Sequence, residues 1–314
     1  MDVLRAPAPV SRRDVLCGGV AAALALTDAT ARADSPASSG VLTRAIPSTG
    51  ERLPVVGLGT DKFRTSDRDA IRLEIARLHE LGGTVIDTAA AYGDSEELIG
   101  EALAALKIRE QMFLATKLTP TGGYRGDGVG GQRSLERSLA LLKTPRIDLL
   151  QVHNLDGVDA LMPLLREWKQ AGTIRYLGIT TSRVSQHAEM IELMRKYPLD
   201  FVQVDYSLAN RDAATTLLPL ALERRIGVLA NIPFGFGSVL REAAKRQLPP
   251  WAADIDAKSW GQFLLKYVIS HPAVTCAIPG STQVAHLEDN QGAARGRLPD
   301  EAMRRRMEQF WDAA

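Results

Sequence analysis

Thr84-Val85-Ile86-Asp87, Met112-Phe113-Leu114-Ala115-Thr116-Lys117 and Asp148-Leu149-Leu150-Gln151-Val152-His153 are short apolar runs, and each ends in an ionisable residue. Runs this short, without a helical repeat, read as buried strands. Working outward, similar runs occur at Val55–Gly59, Tyr176–Thr180, Phe201–Tyr206, Gly227–Ile232 and Val274–Pro279. Helical stretches lie between them. Asp69–Leu81 places Ile71, Ile75 and Leu78 on one face, and Glu96–Leu106 has Ser95 before it as an N-cap. Alternating strand and helix signals parallel βα units. Repeated through all the runs, the pattern predicts an α/β protein of the (β/α)8 TIM-barrel class. Thr43–Ile46 and Glu51–Pro54, joined through Pro47–Gly50, predict an N-terminal β-hairpin that closes the barrel floor. No run leads into GxGxxG with an acidic residue about twenty positions on, which argues against a doubly wound dinucleotide fold.

Composition agrees with a soluble globular chain: 314 residues, 45% hydrophobic, 24% charged, with 38 Lys+Arg against 37 Asp+Glu. From Asp34 onward basic and acidic residues are equal in number. A neutral body offers no electrostatic footprint for nucleic acid or an anionic membrane. The first residues read differently. Ser11-Arg12-Arg13-Asp14-Val15-Leu16 resembles a twin-arginine (Tat) export signal, Val15–Leu26 is its mildly apolar stretch, and Ala31-Arg32-Ala33 is its cleavage site. The apolar stretch is too short to span a bilayer core of about 30 Å, so no stable membrane anchor is predicted. Residues 1–33 are therefore predicted to be a signal peptide, 34–40 a disordered leader and 41–314 the barrel. The Tat export machinery is a predicted partner. The mature chain is predicted to be periplasmic or exported, and cytoplasmic if the signal does not function. Cys17 falls in the signal and leaves Cys276 alone, and the scattered histidines have no zinc spacing, so neither a disulfide nor a metal site is predicted.

Chemistry in a barrel of this class sits at the C-terminal strand ends. Asp87, Lys117 and His153 stand there, and Tyr92 follows Asp87 in the turn. A tyrosine, of ordinary pKa about 10, is a poor acid near neutrality unless an ammonium stabilises its phenolate, the role open to Lys117. A buried lysine keeps its charge only against a carboxylate, the role open to Asp87. Neutral His153 suits a substrate oxygen. The set predicts a tuned general acid facing a carbonyl, with the hydride coming from a cofactor.

Five motifs carry a resemblance: Val56-Gly57-Leu58-Gly59-Thr60, Asp87-Thr88-Ala89 with Tyr92-Gly93 and Ser95-Glu96, Ala115-Thr116-Lys117, Asp148-Leu149-Leu150-Gln151-Val152-His153, and Ile278-Pro279-Gly280-Ser281. Together they make residues 41–314 similar to an aldo-keto reductase. The resemblance implies a (β/α)8 barrel and a nicotinamide cofactor, NADP with NAD possible, lying extended across the barrel mouth. It implies a small carbonyl compound as substrate and a catalytic tetrad of Asp87, Tyr92, Lys117 and His153. For the cofactor it implies Gly59 and Thr60, then Thr180, Thr181 and Gln203 around the carboxamide. Asn231 stands where the family has a stacking tyrosine, with Phe234 nearby as a shifted ring. Gly280, Ser281, Thr282 and His286 stand where the family binds phosphate, with Asp289 and Asn290 at the adenine end. Tyr124, in the glycine-rich Thr119–Gly131 lid, Asn154 and Trp251 are the predicted substrate contacts, with Trp260 beside them. The resemblance leaves two classes of function: a working carbonyl reductase, or a cofactor-binding barrel that serves as a redox sensor or partner subunit.

Overall fold

The computed structural model describes residues 40–118 and 129–313. The predicted signal, nearly all of the leader, and Tyr124 with most of its glycine-rich loop lie outside the described residues. A short antiparallel hairpin, β1 (Thr43–Ala45) and β2 (Arg52–Pro54), precedes the barrel. Eight parallel strands follow: β3 (Leu58–Gly59), β4 (Val85–Asp87), β5 (Phe113–Leu118), β6 (Ile147–Val152), β7 (Ile174–Thr180), β8 (Phe201–Asp205), β9 (Gly227–Asn231) and β10 (Val274–Ala277). Each pairs with its sequence neighbour, as successive βα units require. The edges β3 and β10 meet through bridges between Val56 and Ala277 and between Gly59 and Gly280. Close approach at this seam explains the glycine: a Cβ on Gly59 would stand 2.8 Å from the Ile278 carbonyl oxygen.

The helices are α1 (Arg68–Glu80), α2 (Ser95–Leu106), α3 (Val129–Leu141), α4 (Val158–Gln170), α5 (His187–Lys196), α6 (Leu217–Glu223), α7 (Ser238–Ala243), α8 (Trp260–Ser270), α9 (Val284–Gly292) and α10 (Glu301–Asp312). The fold is thus the predicted (β/α)8 barrel. Their inward faces and the outward faces of the strands form one large apolar core. A second core lies inside the barrel. Ile46 and Leu53 of the hairpin region meet Val85, Phe113, Leu149, Tyr176, Phe201 and Leu229 there. Most of these belong to the opening halves of their strands, so the hairpin seals the floor as expected. The rings of Phe113, Tyr176 and Phe201 lie 5.6–6.0 Å apart in tilted and edge-on pairs. The expected N-cap Ser95 is instead the first residue of α2, with Asp94 before it. Its hydroxyl is used in the site described next.

Candidate active site

Parallel pairing places the ends of β4, β5 and β6 side by side, with Asp87 opposite Ala115 and Lys117 opposite Gln151. Lys117 then reaches back across the sheet. Its Nζ donates to Asp87 Oδ2 at 2.6 Å and to the Thr88 carbonyl at 2.7 Å. It also bonds the Tyr92 hydroxyl, and lies 5.0 Å from the Tyr92 ring centroid. Lys117 and Asp87 are 1% and 2% exposed, so the ion pair is fully desolvated. His153 follows β6 directly and meets the Tyr92 ring edge-on, 5.9 Å between centroids. All four predicted tetrad residues therefore come together at one point on the rim.

Two polar chains hold the cluster. Thr88 Oγ1 donates to Ser95 Oγ at 2.9 Å, Ser95 to Thr60 Oγ1 at 2.8 Å, and Thr60 to the Asp87 carbonyl at 2.9 Å. This hydroxyl relay ties the end of β4 to the first turn of α2 and to the β3 loop. Inside the barrel, Gln151 Nε2 donates to Gln203 Oε1 at 2.9 Å, and Gln203 Nε2 donates to Asp87 Oδ2 at 3.3 Å. Neither Gln151 nor the relay stood out in the sequence. A lone glutamine inside an apolar run was the signal.

Electrostatics follow from burial. Burial works to discharge Lys117, but the Asp87 carboxylate and the Tyr92 hydroxyl outweigh it and hold its pKa above the ordinary lysine value. Asp87 feels the converse: burial raises its pKa, and the Lys117 charge and the Gln203 bond only partly oppose this. Asp87 and Lys117 titrate as one coupled pair. For Tyr92, burial is again the larger effect and lifts the pKa above the ordinary phenol value, while Lys117 pulls downward. The net direction corrects the expectation of a lowered value, because desolvation outweighs one neighbouring ammonium. Tyr92 thus carries its proton at neutral pH, with a cation beside it to stabilise the phenolate once the proton leaves. Burial, then the Lys117 charge, lowers the His153 pKa from 6.5 to about 4, so the imidazole is neutral.

Above the cluster opens a cavity of about 640 Å³. Of the predicted residues, Gly59, Thr60, Asn154, Thr180, Gln203, Asn231, Phe234, Gly280, Ser281, Thr282 and His286 line it with the tetrad. Asn231 Nδ2 donates to the Thr181 carbonyl at 3.0 Å, and its Oδ1 is buried without a partner among the described residues. A carboxamide suits this free acceptor and the neighbouring Thr180 hydroxyl. Gln203 also faces the cavity, but its amide is already bonded at both ends.

The remaining predictions do not converge there. Thr181 is fully buried, and its hydroxyl donates to Gln186 at 2.6 Å. Asp289 accepts from Ser259 at 2.7 Å and from Gln262 at 2.9 Å, which fastens α9 to the start of α8. Asn290 is buried within α9. Trp251 packs on Phe263 and Phe310 with Arg306 over its ring, and Trp260 packs on the same two phenylalanines. Both tryptophans serve an aromatic joint between α8 and α10 rather than a substrate wall. Ile232 and Phe236, from the segment after β9 that was expected to form a wall, also line the cavity, as does Asp61, which sequence reading missed. Asn154, Leu155, Ile232 and Phe236 on this rim all have left-handed φ of 48–60°. Among the described residues no group of three His, Cys, Asp or Glu side chains is placed to hold a metal ion.

Residues 55–311 match the aldo/keto reductase family. The chain belongs to that family. A methylglyoxal reductase of Escherichia coli is 32% identical over 249 residues, covering 76% of this chain and 84% of the relative. An uncharacterized oxidoreductase of Mycobacterium bovis is 32% identical over 279 residues, covering 76% and 84%. Among solved structures, an aldo-keto reductase of Klebsiella pneumoniae in complex with NADPH superposes with a TM-score of 0.71 at 25% identity, over 86% of this chain and 95% of the other. As an aldo/keto reductase, the protein is an oxidoreductase, and its strand-end cluster is the natural place to seek its chemistry.

Proposed function

We propose that this aldo/keto reductase reduces an aldehyde or ketone to an alcohol, using a reduced nicotinamide dinucleotide and Tyr92 as general acid. The observation that carries the reading is the Lys117 ammonium, buried between the Asp87 carboxylate and the Tyr92 hydroxyl at the base of an open cavity. The donor set at the mouth fits a nicotinamide: Thr180 and Asn231 toward the carboxamide, Gly59 and Thr60 beneath the strand, and Gly280–Thr282 with His286 at the far end. When bound, the cofactor supplies the hydride. The protein's own residues do the rest. His153, neutral, donates to the carbonyl oxygen and fixes its angle. Tyr92 gives that oxygen its proton as it becomes an alcohol. Lys117 stabilises the resulting phenolate, Asp87 keeps Lys117 charged, and the Thr88–Ser95–Thr60 relay keeps Asp87 in place. Asn154 and Phe236 are positioned to meet the substrate from the rim. NADPH is the cofactor favoured by the Klebsiella pneumoniae complex, and methylglyoxal is the first substrate to try, given the Escherichia coli relative.

We further propose that residues 1–33 direct Tat export, so that the barrel works in the periplasm. Support comes from the order of twin arginine, apolar stretch and Ala31-Arg32-Ala33. Cell fractionation with a Lys–Lys replacement at Arg12 and Arg13 tests this: export should stop. The reductase reading is tested by following reduced-nicotinamide absorbance against a panel of aldehydes. Multiple turnovers are expected. Tight cofactor binding with no turnover on any carbonyl would favour a sensor or partner subunit instead.

A further inference from the structure

Glu74 sits on the inward face of α1 beside Ile71, Ile75 and Leu78, and it is 0% exposed. Neither carboxylate oxygen has a well-formed hydrogen bond among the described residues. Among the described residues the polar group set against it is the Ser281 hydroxyl. Ser281 lies in the loop between β10 and α9, and with Gly280, Thr282, Gln283 and His286 it lines the far end of the mouth cavity. Gln283, the residue before α9, makes no side-chain cap, while Ser281 Oγ donates to the Gln283 carbonyl at 3.1 Å and accepts from its N–H at 3.2 Å. The loop thus has two faces: helix N–H groups and hydroxyls toward the cavity, and an unpaired buried carboxyl group behind.

We propose that Glu74 makes binding of a phosphate at this end of the mouth proton-linked, through Ser281, and so sets a pH-dependent preference between nicotinamide dinucleotides. This rests on the reductase reading. With the nicotinamide at Tyr92, an extended dinucleotide places its adenosine end at the α9 N-terminus, where NADPH carries one more phosphate than NADH. Uncharged, Glu74 donates to Ser281 Oγ and leaves the loop free to receive a dianion on the helix N–H groups. Ionised, it puts a negative charge behind the same loop and opposes the dianion. Burial favours the uncharged form, and Ser281 favours the charged one. By reciprocity, phosphate binding draws a proton onto Glu74.

The other charges on packed elements are already engaged. Arg68 pairs with Glu101 between α1 and α2, and Arg77 with Glu80 and Glu288 between α1 and α9. Asp61, paired with Lys62, lies against the same loop, its Oδ1 3.3 Å from where a Cβ on Gly280 would stand, and it is unchanged in every variant below. His286 lies on α9 itself and is unchanged in every variant below.

The test is equilibrium binding of NADPH and NADH to the full-length protein between about pH 6 and about pH 8.5. For one linked proton the change is at most about tenfold per pH unit. Wild type should lose NADPH affinity relative to NADH by about threefold or more as pH rises. Glu74→Gln, which keeps the shape with a neutral amide, should lose that preference less steeply than wild type, by the part due to one linked proton. Ser281→Ala, which folds without the buried carboxylate being altered, should also shrink the pH dependence. Calorimetry in two buffers of different ionisation enthalpy should show proton uptake with NADPH that Glu74→Gln lacks. Superimposable ratios for wild type and Glu74→Gln, or equal pH dependence for the two dinucleotides, would overturn the proposal alone. Failure of both dinucleotides to bind at any pH would overturn the cofactor reading beneath it.

Discussion

The two ends of this barrel are built from the same strands yet obey opposite rules. At the floor, Ile46, Leu53, Phe113, Tyr176 and Phe201 fill the interior with apolar surface. At the mouth, a few residues further along, β4 and β5 present Asp87 and Lys117, both buried and charged against each other. Positive φ values at non-glycine residues occur at both ends, at Asn154, Leu155, Ile232 and Phe236 near the mouth and at Lys107, Lys143 and Arg225 in the turns that lead into β5, β6 and β9. The floor supplies stability that allows the mouth to hold a desolvated ion pair, which does not favour folding by itself. Substitutions at the two ends should therefore separate function from stability.

The largest effect is expected from Lys117→Met. Losing the cation removes phenolate stabilisation and should lower kcat/KM by about a thousandfold, within the usual range for a general-acid contribution. It also leaves Asp87 buried without its partner, so the melting temperature should fall as well. Steady-state kinetics and a thermal melt on the same preparation check both. Replacing Asp87 and Lys117 together by an apolar pair should restore stability but not activity.

At the floor the pattern should invert. Phe201→Ala removes a fully buried ring from the Phe113–Tyr176 cluster. It should lose about 3–5 kcal/mol of stability by denaturant unfolding. The molecules that remain folded should keep nearly normal kcat, because none of Phe113, Tyr176 and Phe201 lines the cavity.

The floor and the tetrad were legible for different reasons. Asp87, Lys117 and His153 stood out because an ionisable residue ending an apolar run belongs at a strand's C-terminal end. Tyr92 stood out through its motif. The hairpin plug was legible from alternation and turn residues. Gln151 and the Thr60–Ser95–Thr88 relay were not, since hydroxyls and amides become a network only when separate loops meet. Glu74 had a visible signal: it shares a helical face with Ile71 and Leu78, where a solvated glutamate does not belong. Trp251 misled because a long loop between β9 and α8 suggested a substrate wall. The start of that segment does line the cavity, at Ile232, Phe234 and Phe236, but Trp251 lies beyond α7 and packs on Phe310 of α10.

A smaller effect concerns pH. Burial lowers the pKa of both His153 and His271 from 6.5 to about 4. Between these values the unfolded chain binds protons that the folded protein refuses, so stability should fall as pH drops from 6.5 toward 4. Thermal melts across that window should show the decline, and His271→Gln should reduce its slope. His153 should contribute no inflection to kcat/KM above about pH 5, because it stays neutral there.

The most direct measurement is the behaviour of Tyr92→Phe, which deletes one hydroxyl at the mouth and nothing else. With the best aldehyde from the panel, kcat should fall by more than about a hundredfold. Dinucleotide affinity, measured on the same protein, should stay within about threefold of wild type, a difference under about 0.7 kcal/mol. Retention of more than a tenth of wild-type kcat, a loss under about 1.4 kcal/mol, would contradict the assignment of Tyr92 as the proton donor.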